Sequence, residues 1–187
     1  MVAPARLHRY LYEDYLLLEQ HSQVRHEFLD GEIYAMAGGT PEHAALAASV
    51  LRHIGNQLPA GCRTYTSDLR IRISKSDLTT YPDGAVICGK VIPAVEDPLA
   101  ATNPKLLLEV TSPSTEAYDR GAKLEHYRGL EALREIVVVS HQERRVELHR
   151  RGVDGTWSVV AATGGQTIEL ESLGAKLDVS EIYKALD

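Results

Sequence analysis

The stretch Lys105-Leu-Leu-Leu-Glu109-Val-Thr111 constrains the fold more than any other part of the chain. Three leucines run into a carboxylate, then a valine, then a Ser/Pro/Thr turn. A short continuous apolar run bounded by turn signals is a strand buried on both faces. An ionised glutamate ending such a strand is costly to bury unless something positive pairs with it. Glu109 therefore either projects past the strand end into a cleft or holds a partner there. A metal ligand and a strand-end glutamate paired with a surface Lys or Arg both fit this stretch taken alone.

The segments around it supply an α/β frame. Residues 11–20 carry Leu11, Tyr15, Leu16 and Leu18 and predict a short amphipathic helix. Arg25-His-Glu-Phe-Leu29 and Glu32-Ile-Tyr-Ala-Met36 flank Asp30-Gly31, a strong hairpin signal because both turn residues need positive φ. Period two puts Glu27 on one strand face with Arg25 and Leu29, open to an ion pair or a site role. Thr40 then caps a helix that has Pro41 at its first position and an apolar stripe of Leu46, Val50, Ile54 and Leu58. His43 sits in the first turn, where the helix dipole disfavours its protonation, and is readable as structural or as a ligand.

Residues 63–74 alternate Leu69, Ile71 and Ile73 against Arg70, Arg72 and Ser74, which predicts one half-exposed strand with a solvated basic face. Asp83 stands at the mouth of the next buried strand, residues 84–88, as a turn former or as a ligand. Beyond the opening stretch, Ser112-Pro-Ser-Thr115 breaks the strand and offers cap hydroxyls to a helix over 116–130. On that helix Asp119, Lys123 and Tyr127 share one face, so Lys123 can serve as a simple partner of Asp119. Residues 133–140 read as another buried strand, and strand, helix, strand with short links implies a parallel crossover. Antiparallel strands at 145–150 and 156–161 follow, then a short C-terminal helix with the Asp178-x-x-Glu181 spacing of a capping box.

The length, 187 residues, suits one domain over 1–187. A net charge of −6 and a pI near 5.7 argue against a broad basic surface for duplex DNA. They leave room for a nucleic-acid enzyme, because a divalent metal and a local basic rim supply positive charge where it is needed. Cys62 and Cys88 have no CxxC spacing and read as free buried thiols in a reducing compartment. Residues 1–6 lack the apolar core of a signal peptide and no run reaches membrane-spanning length, so the expectation is a cytoplasmic protein with no membrane partner.

Asp83 opens one buried strand and Glu109 ends the next, so adjacent strands can bring both carboxylates to one hard cation. Lys123, on the helix leaving the Glu109 strand, can point back to the same strand end. Together these are the parts of a magnesium-dependent phosphodiesterase.

Pro82-Asp83 followed by Glu109-Val110 resembles the PD-(D/E)XK nuclease superfamily. More closely, the chain resembles the Uma-two family of restriction-endonuclease-like proteins over nearly its whole length. The matching segments are 12–15, 26–36, Ser67-Asp68-Leu69-Arg70, Tyr81-Pro82-Asp83, 108–115, Asp119-Arg-Gly-Ala-Lys123, Tyr127 and 181–183. Each is weak alone; their order and spacing are specific. The resemblance implies a restriction-endonuclease-like mixed central β-sheet flanked by helices, with an N-terminal β-hairpin and C-terminal antiparallel strands. It implies Mg²⁺ or Mn²⁺ held by Asp83, Glu109 and the Val110 carbonyl. Glu27 would be an outer carboxylate and Lys123 the catalytic lysine. The superfamily lysine two residues after Glu109 is here Thr111, so the catalytic assignment hangs on Lys123.

The leading expectation is a metal-dependent endonuclease acting on nucleic acid, with DNA the first choice. A homodimer is expected, since cutting two strands favours two-fold symmetry. A non-catalytic metal-binding or assembly domain on the same fold and a hydrolase of small phosphorylated metabolites stand beside it. A histidine-metal site from His26 and His43 is a poorer reading, with no short His spacing behind it.

Overall fold

The computed structural model describes residues 9–113 and 115–187; Ser114 and the N-terminal stretch read above for a leader lie outside them. Helix α1 (Tyr12–His21) leads into the hairpin β1 (His26–Leu29) and β2 (Glu32–Ala35). Asp30 and Gly31 turn it at φ 46° and 84°, the positive pair that an Asp-Gly hairpin requires. Helix α2 (Pro41–Gly55) starts as its cap residues direct, the Thr40 hydroxyl accepting the His43 N–H at 3.2 Å. Leu46, Val50 and Ile54 form its buried stripe, and Leu58, past the helix end, packs on the same core. Strands β3 (Cys62–Thr66), β4 (Arg70–Ile73), β5 (Leu78–Thr80), β6 (Gly84–Cys88), β7 (Ala100–Ala101) and β8 (Leu106–Val110) come next. Two short helices, α3 (Glu116–Asp119) and α4 (Ala122–Tyr127), lead to β9 (Glu135–Val139). Strands β10 (Arg145–Arg151), β11 (Trp157–Thr163), β12 (Thr167–Leu170) and β13 (Ala175–Asp178) precede helix α5 (Val179–Tyr183), capped by Asp178.

The sheets are mixed, as the α/β expectation required. One has the order β11-β10-β9-β8-β6-β3, a second β2-β1-β5-β4-β7, and β12 pairs β13 alone. β8 and β9 run parallel across the α3–α4 connection, while β6 is antiparallel to β8. Alternation along β8 divides two cores. Leu106, Leu108 and Val110 join α2, α5 and the β12–β13 pair. Leu107 lies with Leu124 and Tyr127 of α4 in a core reaching the second sheet, and Glu109 shares that face.

Three expectations need correction. Residues 63–74 form two strands in different sheets rather than one, with a turn at 67–69 between β3 and β4. Their basic face is not solvated. Arg72 is 6% exposed, 2.6 Å from Asp77 and 2.9 Å from Glu96, with its guanidinium over the Tyr12 ring. Arg70 bonds Asp97 at 2.6 Å and the Tyr81 hydroxyl at 2.8 Å. Carboxylates from outside the strand make that burial tolerable. The helix expected over 116–130 breaks between α3 and α4, where a Cβ on Gly121 would lie 2.8 Å from the Ala117 carbonyl, and no side-chain hydrogen bond caps α3 at Thr115. Cys62 and Cys88 are not free; they face each other across the β3–β6 ladder and form a disulfide. The argument from free thiols to a reducing compartment therefore falls away. No helix among the described residues is long and apolar enough to cross a membrane.

One buried group is poorly matched to its surroundings. His149, on the α4-facing side of β10, is 7% exposed, and neither ring nitrogen has a hydrogen-bond partner among the described residues. Burial, reinforced by the Arg128 charge, lowers its pKa below the ordinary 6.5. The folded state thus resists a proton that the unfolded chain accepts. Stability from this group is complete above pH 6.5 and declines as the pH falls through the lowered value. His149→Leu is expected to raise stability by about 1–2 kcal/mol and to flatten that acid-side decline. Denaturant melts at pH 7 and pH 5 check both; a loss of stability at pH 7 would show that the imidazole is satisfied after all.

Candidate active site

The β6–β8 register pairs Gly84 with Leu108 and Ala85 with Leu107. One further step along the same antiparallel ladder sets Asp83 opposite Glu109, at one sheet end and on one face. The Val110 N–H donates to Asp83 Oδ2 at 2.7 Å, fastening the aspartate to the end of β8. Helix α2 presses close beside them: a Cβ on Gly84 would lie 2.6 Å from Leu51 Cδ2. This brings His43, in the first turn, to the same place, with Nε2 2.9 Å from the Val110 carbonyl and 3.3 Å from Asp83 Oδ2. The hydrogen bond to Asp83 raises the His43 pKa against the opposing effect of burial. The direction is thus the reverse of that expected from the first-turn position alone.

Glu109 is 3% exposed. The Tyr127 hydroxyl donates to its Oε1, and Lys123 Nζ lies 3.0 Å from the same atom. Lys123 does reach the carboxylates: it is also 3.6 Å from Glu27 Oε1 and 3.6 Å from Asp119 Oδ1. The Asp119 pairing and the approach to Glu109 are both present, since the lysine sits among all three groups. Glu27 arrives from β1, with the Thr80 hydroxyl donating to its Oε1. Burial pushes the Glu109 carboxyl up to about 8, with Asp83 and Asp119 adding to the rise and Lys123 opposing it. Burial alone would depress Lys123; Glu109, Tyr127, Glu27 and Asp119 instead hold its ammonium well above the ordinary range.

The donor set has a definite shape. Asp83 Oδ2 and Glu109 Oε1 are taken up by protein donors, whereas no hydrogen bond among the described residues uses Asp83 Oδ1 or Glu109 Oε2. No three His, Cys, Asp or Glu among the described residues are grouped to cage a cation. Two carboxylates and a backbone carbonyl are what this end of the sheet offers. That partial oxygen shell suits Mg²⁺ or Mn²⁺, which commonly keeps several waters. The raised Glu109 also fits, because a cation relieves the cost of its charge.

Thr111 is fully buried and bonds His141 Nδ1 at 2.8 Å through its hydroxyl. His26 and His43 have separate partners: His26 bonds Glu19 at 2.9 Å, and His43 meets the Val110 carbonyl and Asp83. Sequence reading gave no role to the Tyr127 phenol or to Thr80. The four-residue spacing of Asp119, Lys123 and Tyr127 signalled the first; nothing local signalled the second.

Comparison with known proteins agrees in kind. A family model described as "Uma2: Putative restriction endonuclease" matches residues 12–180. The "Uncharacterized protein slr1290" of Synechocystis sp. is 35% identical over 181 residues, covering 93% of this chain and 91% of that protein. A second Synechocystis protein, "Uncharacterized protein sll1609", is 31% identical over 161 residues, covering 84% and 89%. Among solved structures, a "putative nuclease belonging to DUF820" from Anabaena variabilis superposes with a TM-score of 0.76 over 93% of this chain and 98% of that one. At 15% identity that likeness speaks for the fold.

Proposed function

We propose that this chain, which belongs to the Uma2 family of restriction-endonuclease-like proteins, is a metal-dependent endonuclease hydrolysing phosphodiesters in DNA. The observation that carries the reading is the meeting of Asp83, Glu109, Glu27 and Lys123, from different elements, at one sheet end. Asp83, Glu109 and the Val110 carbonyl would hold Mg²⁺ or Mn²⁺. Once bound, such an ion supplies charge neutralisation at a phosphate and a lowered pKa for a water.

The chain's own groups do the rest. The Val110 N–H and His43 fix Asp83, leaving Oδ1 for the ion. Tyr127 and Lys123 fix Glu109 through Oε1, leaving Oε2. The Val110 carbonyl accepts from His43 and retains a second lone pair. Glu27 orients water from the outer side. Lys123 offers an ammonium that a carboxylate cluster keeps charged, suited to charge developing on a phosphoryl oxygen. Local positive charge of this kind is what a chain of net charge −6 needs in order to handle a polyanion. The reading includes a two-fold dimer able to address both strands.

The test is cleavage of plasmid DNA by wild type and Asp83→Ala, each with Mg²⁺ and with Mn²⁺. The several kcal/mol that a catalytic metal contributes make the expected loss roughly 10³-fold. Equal cleavage by both proteins sinks the assignment. The acidic surface and Thr111 keep two other activities in the assay panel. Calorimetric Mg²⁺ binding without cleavage of any nucleic acid marks a non-catalytic domain, and turnover only of nucleotides or sugar phosphates marks a metabolite hydrolase.

A further inference from the structure

Strand β11 is the outermost strand of the six-stranded sheet and pairs only with β10. The ladder identifies which of its groups face outward. On β10, the Arg151 N–H bonds the Arg134 carbonyl at 2.8 Å and the Arg145 carbonyl accepts from Ser140 at 3.0 Å, both away from β11. Their partners Trp157 and Thr163, and by alternation Val159 and Ala161, therefore turn N–H and C=O to the open edge. The Thr163 N–H is met by Gln166 Oε1 at 2.8 Å. No backbone bond among the described residues meets Trp157, Val159 or Ala161 on that side.

The edge also lacks the usual protection. From Trp157 to Thr163 there is no charge and no proline, and Val159 and Val160 are 53% and 50% exposed. Two other edges carry charge, β3 the exposed Arg63 and β2 the exposed Glu32. Unpaired donors and acceptors beside exposed apolar side chains make a template for another strand.

We propose that β11 pairs antiparallel with β11 of a second copy of this chain, about a two-fold axis at Val160, joining two six-stranded sheets into one. The strand is self-complementary in that register. Val160 meets the partner's Val160, Val159 meets the partner's Ala161, and Ser158 meets the partner's Ala162, with no like charges opposed. The contact is isologous, so it closes at two copies. It does not rest on the nuclease reading and survives the failure of that reading.

Sedimentation velocity of the purified chain at tens of micromolar tests it, with Val159→Lys and Ala161→Pro beside wild type. Val159→Lys places a charge at the exposed edge, and Ala161→Pro removes an outward N–H without touching the β10 ladder. Wild type is expected to sediment as a dimer and both variants as monomers with unchanged circular dichroism. Val160→Cys adds the one thiol outside the Cys62–Cys88 pair and is expected to give a disulfide-linked dimer on a non-reducing gel. A monomeric wild type, or a dimer unchanged in both variants and uncrosslinked in Val160→Cys, overturns the proposal.

Discussion

Lys123→Met is expected to destabilise the metal-free protein at neutral pH by about 3–5 kcal/mol, the usual cost of stripping one partner from a buried ion cluster. Against a total stability of roughly 5–15 kcal/mol, that threatens folding itself. The substitution keeps most of the unbranched apolar chain and removes the ammonium, with its charge and its donors. Glu109, Asp119 and the mostly buried Glu27 then face one another with nothing positive among them. The sign of the pH dependence follows from their shifts. Glu109 and Asp119 are already raised by burial, so the fold favours their protonated forms. Lowering the pH from about 8 toward the ordinary carboxylate range returns stability, and the deficit of Lys123→Met should shrink with it. Added Mg²⁺ is expected to recover part of the same deficit, because a cation substitutes for the lost ammonium. Urea unfolding at pH 5 and pH 8, with and without Mg²⁺, measures all of this. A deficit below about 1 kcal/mol that ignores pH would mean that the ammonium is solvated, as in a surface ion pair.

How much of this was legible in the chain depends on how far apart the determining residues stand. β6 and β8 were legible because burial on both faces writes itself as a continuous apolar run, and Asp83 and Glu109 were visible as the charges bracketing those runs. Lys123 was legible through its four-residue spacing from Asp119 and Tyr127, even though the helix carrying them breaks at Gly121. The burial of Arg70 and Arg72 was not. Alternation continues across the β3–β4 turn as though the strand did not stop, and the carboxylates that quench the arginines lie at Glu19, Asp77, Glu96 and Asp97. The second sheet leaves no trace in the sequence for a related reason, since β4, β5 and β7 are too short to show a period. The disulfide needed the β3–β6 register, which joins residues 26 apart. The first-turn position of His43 is plain in the sequence, but its partners Asp83 and Val110 are set by the seating of α2 against Gly84, a tertiary contact with no local signature.

Glu109→Gln separates the two meanings that the opening stretch of sequence left open, a metal ligand or a glutamate paired for stability. In the metal-free protein it is expected to stabilise the fold by about 1–3 kcal/mol at neutral pH, allowing for the partner that Lys123 loses. Burial lifts the carboxyl from 4.5 to about 8, so the neutral form is the one the fold prefers. Stability from that preference is fully present below pH 4.5 and is lost as the pH rises toward 8. A glutamine has no such loss, and the gap between variant and wild type should widen over that interval. The amide oxygen can still accept from Tyr127, which keeps the packing of α4 on β8 intact. The amide nitrogen would then occupy the place of Oε2, presenting donors where a cation needs an acceptor. Mg²⁺ should therefore raise the melting temperature of wild type and leave Glu109→Gln unmoved. A residue kept at a cost to stability, and needed only when a cation is offered, behaves as a functional group. Were Glu109→Gln instead the less stable protein at pH 8, the pairing with Lys123 would outweigh the cost of burial, and Glu109 would be the structural partner of that lysine.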